Sequence, residues 1–355
     1  MKKLQFFNTF NTSYTPGSFR DYYKTIYGTG PCPVDRFNLL KDIDPQQLEF
    51  NNIVPAPVYS LKNLPQGSSE EWRERYFSLF EQVATDVYNK AQGKKIAVMY
   101  SGGIDSTSAL IALMKHPKFK YFLDSGNFVV SMATTSIREY PKFFYERILP
   151  TIPIIPADYN ALMCDPSVLV VTGDSGDYVI GNTDTPVFFY EGSTDILYRP
   201  KEILWPYLNS IDKTGKFVHF FKEICKRAPF EIYSVNQAYW WIGQAFVHQG
   251  EMHYPFVWSN IQDLKEVATF NKVYRWFLSQ PFMTFSFEYA SVNPYYTDFN
   301  SVRRFPKEYI VNYSGDKEYM NKIKIFSQRQ LYREIRKTRV YEDGSWEFTL
   351  DKIPT

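Results

Sequence analysis

Short apolar runs alternate with helical patterns between residues 94 and 182, and this alternation constrains the fold more than any other feature. The runs cover residues 96–100, 128–133, 152–155 and 168–172. A strand that is buried on both faces of a parallel sheet is apolar at consecutive positions, whereas a half-solvated strand alternates. Strands that alternate with helices predict an α/β fold with a doubly wound parallel sheet.

The chain divides into three predicted regions. Its 355 residues favour about two domains at ~150 residues each. Residues 1–67 are rich in Pro, Asn, Tyr and Gly and predict an irregular N-terminal region. Residues 68–200 hold the apolar runs and predict the α/β domain. Residues 201–355 predict a mostly helical, basic C-terminal part that completes it.

Three helix starts are predicted from pairs of residues that can form a capping box, a serine followed three positions later by Glu or Gln. The pairs are Ser68 with Glu71, Ser234 with Gln237, and Ser259 with Gln262. The helix after Ser259 is predicted to run through Val273 and Trp276.

Charge, cysteine content and hydropathy argue against several classes of protein. The 40 basic and 38 acidic side chains give a net charge of +2, which offers no argument for nucleic-acid or membrane binding. The three cysteines are scattered without a CxxC pair, so neither a disulfide framework nor a zinc site is expected. No signal peptide and no apolar run of ~18 residues are found. We therefore expect a cytoplasmic protein with no membrane partner.

A glycine-containing loop, Ser-Gly-Gly-Ile-Asp-Ser at residues 101–106, lies between a predicted strand and a predicted helix. Glycines let the backbone approach an anion, and N–H groups at a helix N-terminus point at it. Ser101 and Ser106 add hydroxyl donors. Asp105 would repel a bare phosphate, so it predicts a bridging Mg²⁺. The alternative is a glycine turn with an aspartate cap that begins an ordinary helix.

This loop, after the strand IAVMY, resembles the signature of the PP-loop ATP pyrophosphatase superfamily. The match covers six consecutive residues in the strand–loop–helix context of that family. The resemblance implies an adenine nucleotide alpha hydrolase-like fold. It also implies an enzyme that cleaves ATP between the α- and β-phosphates, adenylates a substrate and releases pyrophosphate, with ATP and Mg²⁺ as cofactors. The residues that it assigns to the phosphates are Ser101, Gly102, Gly103, Asp105 and Ser106.

A second glycine-containing loop at residues 172–178, Thr-Gly-Asp-Ser-Gly-Asp-Tyr, is similar to the SGDGADE-type loop of asparagine synthetases and β-lactam synthetases. In those enzymes the loop closes over the pyrophosphate. The resemblance implies that Gly173 and Asp174 contact the nucleotide and that Asp177 joins Asp105 on Mg²⁺. An Asx turn at a strand end is the alternative, because Gly and Asp are ordinary turn formers.

The chain departs from the synthetase pattern in three places. Tyr178 stands where the family has a glutamate, and the trailing glycine pair is reduced to Gly181-Asn182. No segment resembles the ETYD motif, in which the family keeps a catalytic glutamate. These departures concern the acceptor chemistry and leave the predicted ATP site intact.

The resemblance also implies where adenine and a catalytic cation would lie. Backbone groups near Ser131 and Met132 would read the adenine. The amide-forming enzymes use a lysine near the C-terminus to stabilise negative charge in the transition state. Lys322 and Lys324 are the candidates on either side of the best register. The alternative is that both are solvated lysines on an exposed segment.

The resemblance implies that the protein is an AMP-forming carbon–nitrogen ligase. Glutamine-dependent synthetases begin with a cysteine after the initiator methionine, and here Lys2 occupies that position. The partners would then be a small carboxylate with ammonia or an amine, and a separate protein could supply the ammonia. A catalytically inactive nucleotide-binding module is the non-enzymatic alternative.

Another alternative is a PP-loop enzyme that adenylates a base carbonyl in tRNA. It is favoured by a basic, aromatic C-terminal region, which could bind RNA. A solvated helix face explains the same charges. The basic residues are Arg303, Arg304, Lys307, Lys317, Lys322, Lys324, Arg329, Arg333, Arg336, Lys337 and Arg339.

Overall fold

The computed structural model describes part of the chain, and that part falls into two compact units. The described residues are 67–157, 161–162, 165–180, 222, 225–226, 228, 230–243, 273–292, 299–322, 339–340 and 346–347. The sheet unit comprises Arg73–Gly176, Leu264–Pro281 and Arg303–Thr355, and the second unit comprises Met1–Trp72, Asp177–Asp263 and Phe282–Val302.

The sheet unit contains a five-stranded sheet in the order β3-β2-β1-β4-β5, and every neighbouring pair is parallel. The strands are β1 (Lys95–Tyr100), β2 (Phe128–Met132), β3 (Ile154–Pro156), β4 (Val168–Thr172) and β5 (Val273–Arg275). All positions of β2 and β4 are buried, as are all but the first of β1. The prediction of an α/β fold with a parallel sheet is therefore confirmed.

Helices precede, follow and connect the strands. They are α1 (Ser69–Lys90), α2 (Ile104–Lys115), α3 (Phe119–Asp124), α4 (Thr134–Glu139), α5 (Pro141–Phe143), α6 (Val235–Gly243), α7 (Gln280–Val292) and α8 (Phe299–Ser314). A π-helical turn spans Phe144–Ile148, and 3₁₀ turns span Gly176–Tyr178 and Lys317–Asn321. Two short strands, β6 (Arg339–Val340) and β7 (Trp346–Glu347), pair antiparallel. Within the described part of the chain, no helix is both long and apolar enough to cross a membrane.

Two of the three predicted capping boxes are present. Ser68 Oγ accepts from the Glu71 N–H at 3.2 Å, and the Glu71 carboxylate accepts from the Ser68 N–H at 2.6 Å. The same reciprocal pair joins Ser234 and Gln237 at the start of α6. The third pair lies outside the described residues.

The helix predicted to run through Val273 and Trp276 is wrong at its C-terminal end. Val273–Arg275 is strand β5, which pairs with β4 at Val170–Thr172. Trp276 continues the ladder with one further bond, from its N–H to the Thr172 carbonyl at 2.9 Å. Three residues are too few to display a period of two, and the edge of β4 left unpaired by β1 supplies the hydrogen bonds that decide the conformation.

Aromatic side chains pack α1 and α8 together within the sheet unit. Phe80 of α1 is fully buried and stacks on Tyr309 of α8 with ring centroids 4.1 Å apart. It also contacts the rings of Trp276 and Phe277, which follow β5. Aromatic residues make up 18% of the chain, and some of them form this contact between the two helices.

Candidate functional site

The two glycine loops, at residues 101–106 and 172–178, follow strands that are neighbours in the sheet. Because β1 and β4 are parallel and pair directly, their carboxyl ends lie side by side. Ligand sites of open parallel sheets occur at this edge. The first loop leads into α2, whose N-cap residue Gly103 is extended and, as a glycine, has no side chain to accept a hydrogen bond from the first N–H groups of the helix. The first N–H groups of α2, which have no acceptor inside the helix, therefore lie directly after the loop.

The two serine hydroxyls of the first loop bridge it from end to end. Ser101 Oγ and Ser106 Oγ are 3.0 Å apart. The Ser101 N–H donates to Ser106 Oγ at 3.2 Å, and the Gly103 N–H donates to Ser101 Oγ at 3.3 Å. These bonds hold a compact loop and use three of the four lone pairs of the two hydroxyl oxygens, so one acceptor position is left on the pair.

Glycines of the second loop allow it to lie directly against the first. A Cβ atom at Gly173 would be 2.7 Å from the backbone N and Cα of Ser106, and one at Gly176 would be 2.5 Å from Cγ of Asp105. Real Cβ atoms do not approach so closely, so only glycine permits this contact. The Asp105 carboxyl group consequently lies under Gly176 of the second loop.

Ser175 has an unusual backbone between those two glycines. Its φ of 72° lies in the left-handed region, the one such value at a non-glycine residue among those that the structure describes. Its hydroxyl is buried and has no hydrogen-bond partner in the described part of the chain. A serine held at this φ costs free energy, which marks the turn as constrained by its surroundings.

Glu139 is the residue of this site that sequence reasoning missed. It is the last residue of α4, which begins two residues after β2 ends, and only 4% of its surface is exposed. A Cβ atom at Gly102 would be 2.7 Å from the Glu139 Cβ, so α4 touches the first glycine loop. Gly102 also needs its φ of +75°, which glycine adopts without strain. In the sequence, Glu139 is marked only as an acidic residue followed by Tyr140, and no rule of residue spacing identifies such a pair as part of a site.

Lys322 lies beside Glu139. Its Nζ is 3.8 Å from Glu139 Oε1, which makes an ion pair rather than a hydrogen bond, and its side chain is 19% exposed. The ammonium also lies 5.0 Å from the ring centre of Tyr140 and 5.3 Å from that of Tyr319. Burial lowers the pKa of Lys322 to about 8, against the opposing effect of the Glu139 charge. The interpretation of Lys322 as a solvated lysine is therefore wrong, whereas Lys324 lies outside the described residues.

Tyrosines and an aspartate surround this ion pair. The Tyr140 hydroxyl donates to Asp316 Oδ2 at 3.1 Å, and Lys142 Nζ lies 3.3 Å from the other carboxylate oxygen. The Tyr319 ring is 4.3 Å from that of Tyr140. Burial raises the pKa of Tyr319 well above its ordinary value, and the charges of Glu139 and Asp105 raise it further. The two carboxylates thus act on one buried tyrosine.

The residues predicted to read adenine are engaged within the sheet. Ser131 Oγ donates to the Pro156 carbonyl at 3.1 Å, and the Met132 carbonyl accepts from the Ala157 N–H at 3.2 Å. Both residues are buried, on a strand with neighbours on each side. Asp174 is partly buried in the second loop.

A nucleotide phosphate and Mg²⁺ fit part of this arrangement. Among the described residues, a Cβ atom at Gly103 would meet only Ser101 Oγ within 4 Å, so those residues leave space beside Gly103. Carboxylate oxygens such as those of Asp105 are the ligands that Mg²⁺ prefers. No cluster of three or more potential ligand side chains occurs among the described residues, and the side chain of Asp177 is not one of those described.

Some residues of the basic C-terminal region are buried rather than on the surface. Arg303 and Lys307 on α8 are buried, and Arg304 pairs with Glu308 at 2.8 Å. Residues 323–338 lie outside the described part. An RNA-binding face therefore cannot include Arg303 and Lys307.

Comparison of the chain with protein families, with curated proteins and with solved structures finds no match.

Proposed function

We propose that the protein is an ATP-dependent, AMP-forming ligase of the asparagine-synthetase type, with a doubly wound PP-loop fold. The observation that carries the proposal is the contact between the two glycine loops, in which Gly176 covers the Asp105 carboxyl group. Each loop resembles its counterpart in that family by sequence. Their direct approach is an independent geometric property that the resemblance requires.

In the proposed reaction, a substrate carboxylate oxygen attacks the α-phosphorus of ATP. The bond from that phosphorus to the bridging oxygen breaks, and pyrophosphate leaves. Ammonia or an amine then attacks the carbonyl carbon of the acyl-adenylate, loses a proton and displaces AMP. The pyrophosphate would be bound at residues 101–106, by N–H groups of the loop and the start of α2.

Mg²⁺ would neutralise charge on the leaving pyrophosphate when it is bound. Asp105 would hold it. Asp105 is held beside the phosphate-binding loop on α2 and is covered by Gly176, which restricts its orientation.

Glu139 and Lys322 would serve the acceptor half of the reaction. A nearly buried carboxylate beside the first loop could accept the proton that the attacking amine loses. Lys322 would stabilise negative charge that develops at the α-phosphoryl group or carbonyl oxygen, since a fixed cation is strongest where water is excluded. Their ion pair keeps Lys322 near the loop before substrate arrives.

Substitution of Asp105 tests the proposed metal and nucleotide site. D105N removes a negative charge with little change in shape, so we expect Mg²⁺-dependent ATP binding to weaken by about tenfold or more. Isothermal titration calorimetry with and without Mg²⁺ measures this. D124N is the matched control, because Asp124 is an exposed partner of Lys120 on α3. Equal Mg²⁺ dependence in D105N and the unmodified protein contradicts the assignment.

The tRNA-modifying alternative has less support than the ligase. Its main argument was the basic C-terminal region, from which the burial of Arg303 and Lys307 removes two cations. We therefore retain small-molecule carboxylates as the proposed acceptors. The absence of a membrane-spanning helix from the described residues does not bear on this choice.

A further inference from the structure

Lys307 is buried in the middle of α8, where a lysine is unusual. Only 3% of its surface is exposed. A buried charge costs free energy unless hydrogen bonds or an opposite charge stabilise it. Nζ donates to the Met320 carbonyl at 2.8 Å and to the Lys322 carbonyl at 2.9 Å. Both carbonyls belong to the segment that carries Lys322, whose ammonium group lies beside Glu139.

The chain reversal after α8 explains why Lys307 meets those carbonyls. Gly315, with φ of +73°, ends α8, and its N–H bonds to the Val311 carbonyl at 2.8 Å. A left-handed glycine is the usual way for a chain to leave a helix. The chain then forms the 3₁₀ turn Lys317–Asn321, whose last carbonyls have no partner inside so short a turn.

We propose that Lys307 is a positioning residue that holds the Lys322 ammonium beside Glu139 by binding the backbone carbonyls of Met320 and Lys322. Its role in catalysis rests on the proposed function of Lys322, whereas its effect on the placement of Lys322 does not. One buried cation thereby fixes the backbone from which a second cation reaches the candidate site.

The surroundings of Lys322 define what would change if Lys307 were lost. Charged and titratable groups face its ammonium from three elements: Glu139 at the end of α4 with Tyr140 after it, Asp316 and Tyr319 at the 3₁₀ turn, and Lys307 on α8. Burial is the main cause of the lowered pKa of Lys322, and the Lys307 charge lowers it further. Release of the segment would admit water and remove the Lys307 charge, and both changes raise the pKa of Lys322. Loss of the Glu139 contact would lower that pKa, but burial is the largest cause, so the net change is a rise.

The pH dependence of chemical labelling at Lys322 tests the proposal without nucleotide. The folded full-length chain would be treated briefly with acetic anhydride at a series of pH values, and modification of the Lys322 peptide measured by mass spectrometry. In the unmodified protein the midpoint should lie at about pH 8. In K307M we expect it to rise by about 1 pH unit or more, towards the value of an exposed lysine.

Two variants serve as controls, one for the loss of a cation elsewhere on α8 and one for the return of a charged donor at position 307. R304M removes a cation from the exposed face of α8, where Arg304 pairs with Glu308, and should leave the midpoint unchanged. K307R keeps a charged donor and should restore most of the wild-type midpoint. If K307M fails to fold, K307Q replaces it in the same comparison with K307R.

The proposal is overturned if K307M, or K307Q in its place, retains the wild-type midpoint, or if R304M shifts it equally. A second measurement connects it to catalysis: K307M should reduce kcat with little change in KM for ATP. A shifted midpoint in a protein that makes no AMP would leave the positioning role intact and remove the proposed function. Normal AMP formation with an unshifted midpoint would do the reverse.

Discussion

At the residue scale, Lys322 combines a positive charge with a nearly enclosed position. Its ammonium is held by Glu139 and by the faces of two tyrosine rings, while burial lowers its pKa to about 8. Such a cation stabilises negative charge more strongly than an exposed lysine, because little water screens it. The same burial makes its protonation sensitive to mildly alkaline pH.

The lowered pKa predicts an alkaline limit to turnover. Below about pH 8 Lys322 is protonated and the proposed reaction proceeds. As the pH rises through about 8 the charge is lost, so kcat should fall by about tenfold per pH unit. An arginine stays protonated throughout this range, so in K322R the fall should move to higher pH.

A profile of kcat against pH for the two proteins checks this prediction. K317R is the matched control, since Lys317 is exposed at the start of the 3₁₀ turn that Lys322 directly follows. An alkaline limb at the same pH in wild type and K322R would show that another group is responsible.

At the element scale, the pairing of β1 with β4 brings two distant loops into contact. Gly173 meets the backbone of Ser106, which cannot yield, whereas Gly176 meets the carboxyl group at the end of the Asp105 side chain, which can rotate. Adding a side chain at these two glycines would therefore have different effects. One concerns the packing of the loops and the other the orientation of a proposed metal ligand.

Alanine at each glycine should separate these consequences. G173A forces a Cβ against backbone and should lower the free energy of unfolding by about 1–3 kcal/mol. G176A should cost less stability but weaken Mg²⁺-dependent ATP binding, because Asp105 must turn away. Denaturant unfolding and calorimetric titration measure the two properties. The interpretation fails if G176A is the less stable variant and binds ATP with Mg²⁺ as the wild type does.

The strands and the first loop could be predicted because their signals are local. Runs such as residues 96–100 are apolar at consecutive positions, and the loop at 101–106 carries its chemistry in adjacent residues. Strand β5 was missed because Val273–Arg275 acquires its conformation from pairing with β4. Glu139 was missed because only the path of α4 brings it to Gly102. Lys307 was counted with a surface cluster because nothing nearby in sequence indicates its distant carbonyl partners.

At the scale of the whole molecule, four separate stretches of chain supply the described side of the candidate site. They are residues 101–106, 139–140, 173–176 and 316–322, and all belong to the sheet unit. Among the groups predicted from sequence, the side chain of Asp177 and Lys324 lie outside the described residues. A site whose described groups share one unit can keep their mutual geometry through the sheet and its helices.

The central claim is cleavage of ATP between its α- and β-phosphates, and the identity of the labelled product tests it most directly. The full-length protein would be incubated with Mg²⁺ and ATP labelled at the α-phosphate, together with pools of carboxylates and ammonia or amines. We predict labelled AMP with an equal amount of pyrophosphate, stimulated by a pool that contains the acceptor. Labelled ADP, or no labelled product with any pool, would contradict an AMP-forming ligase.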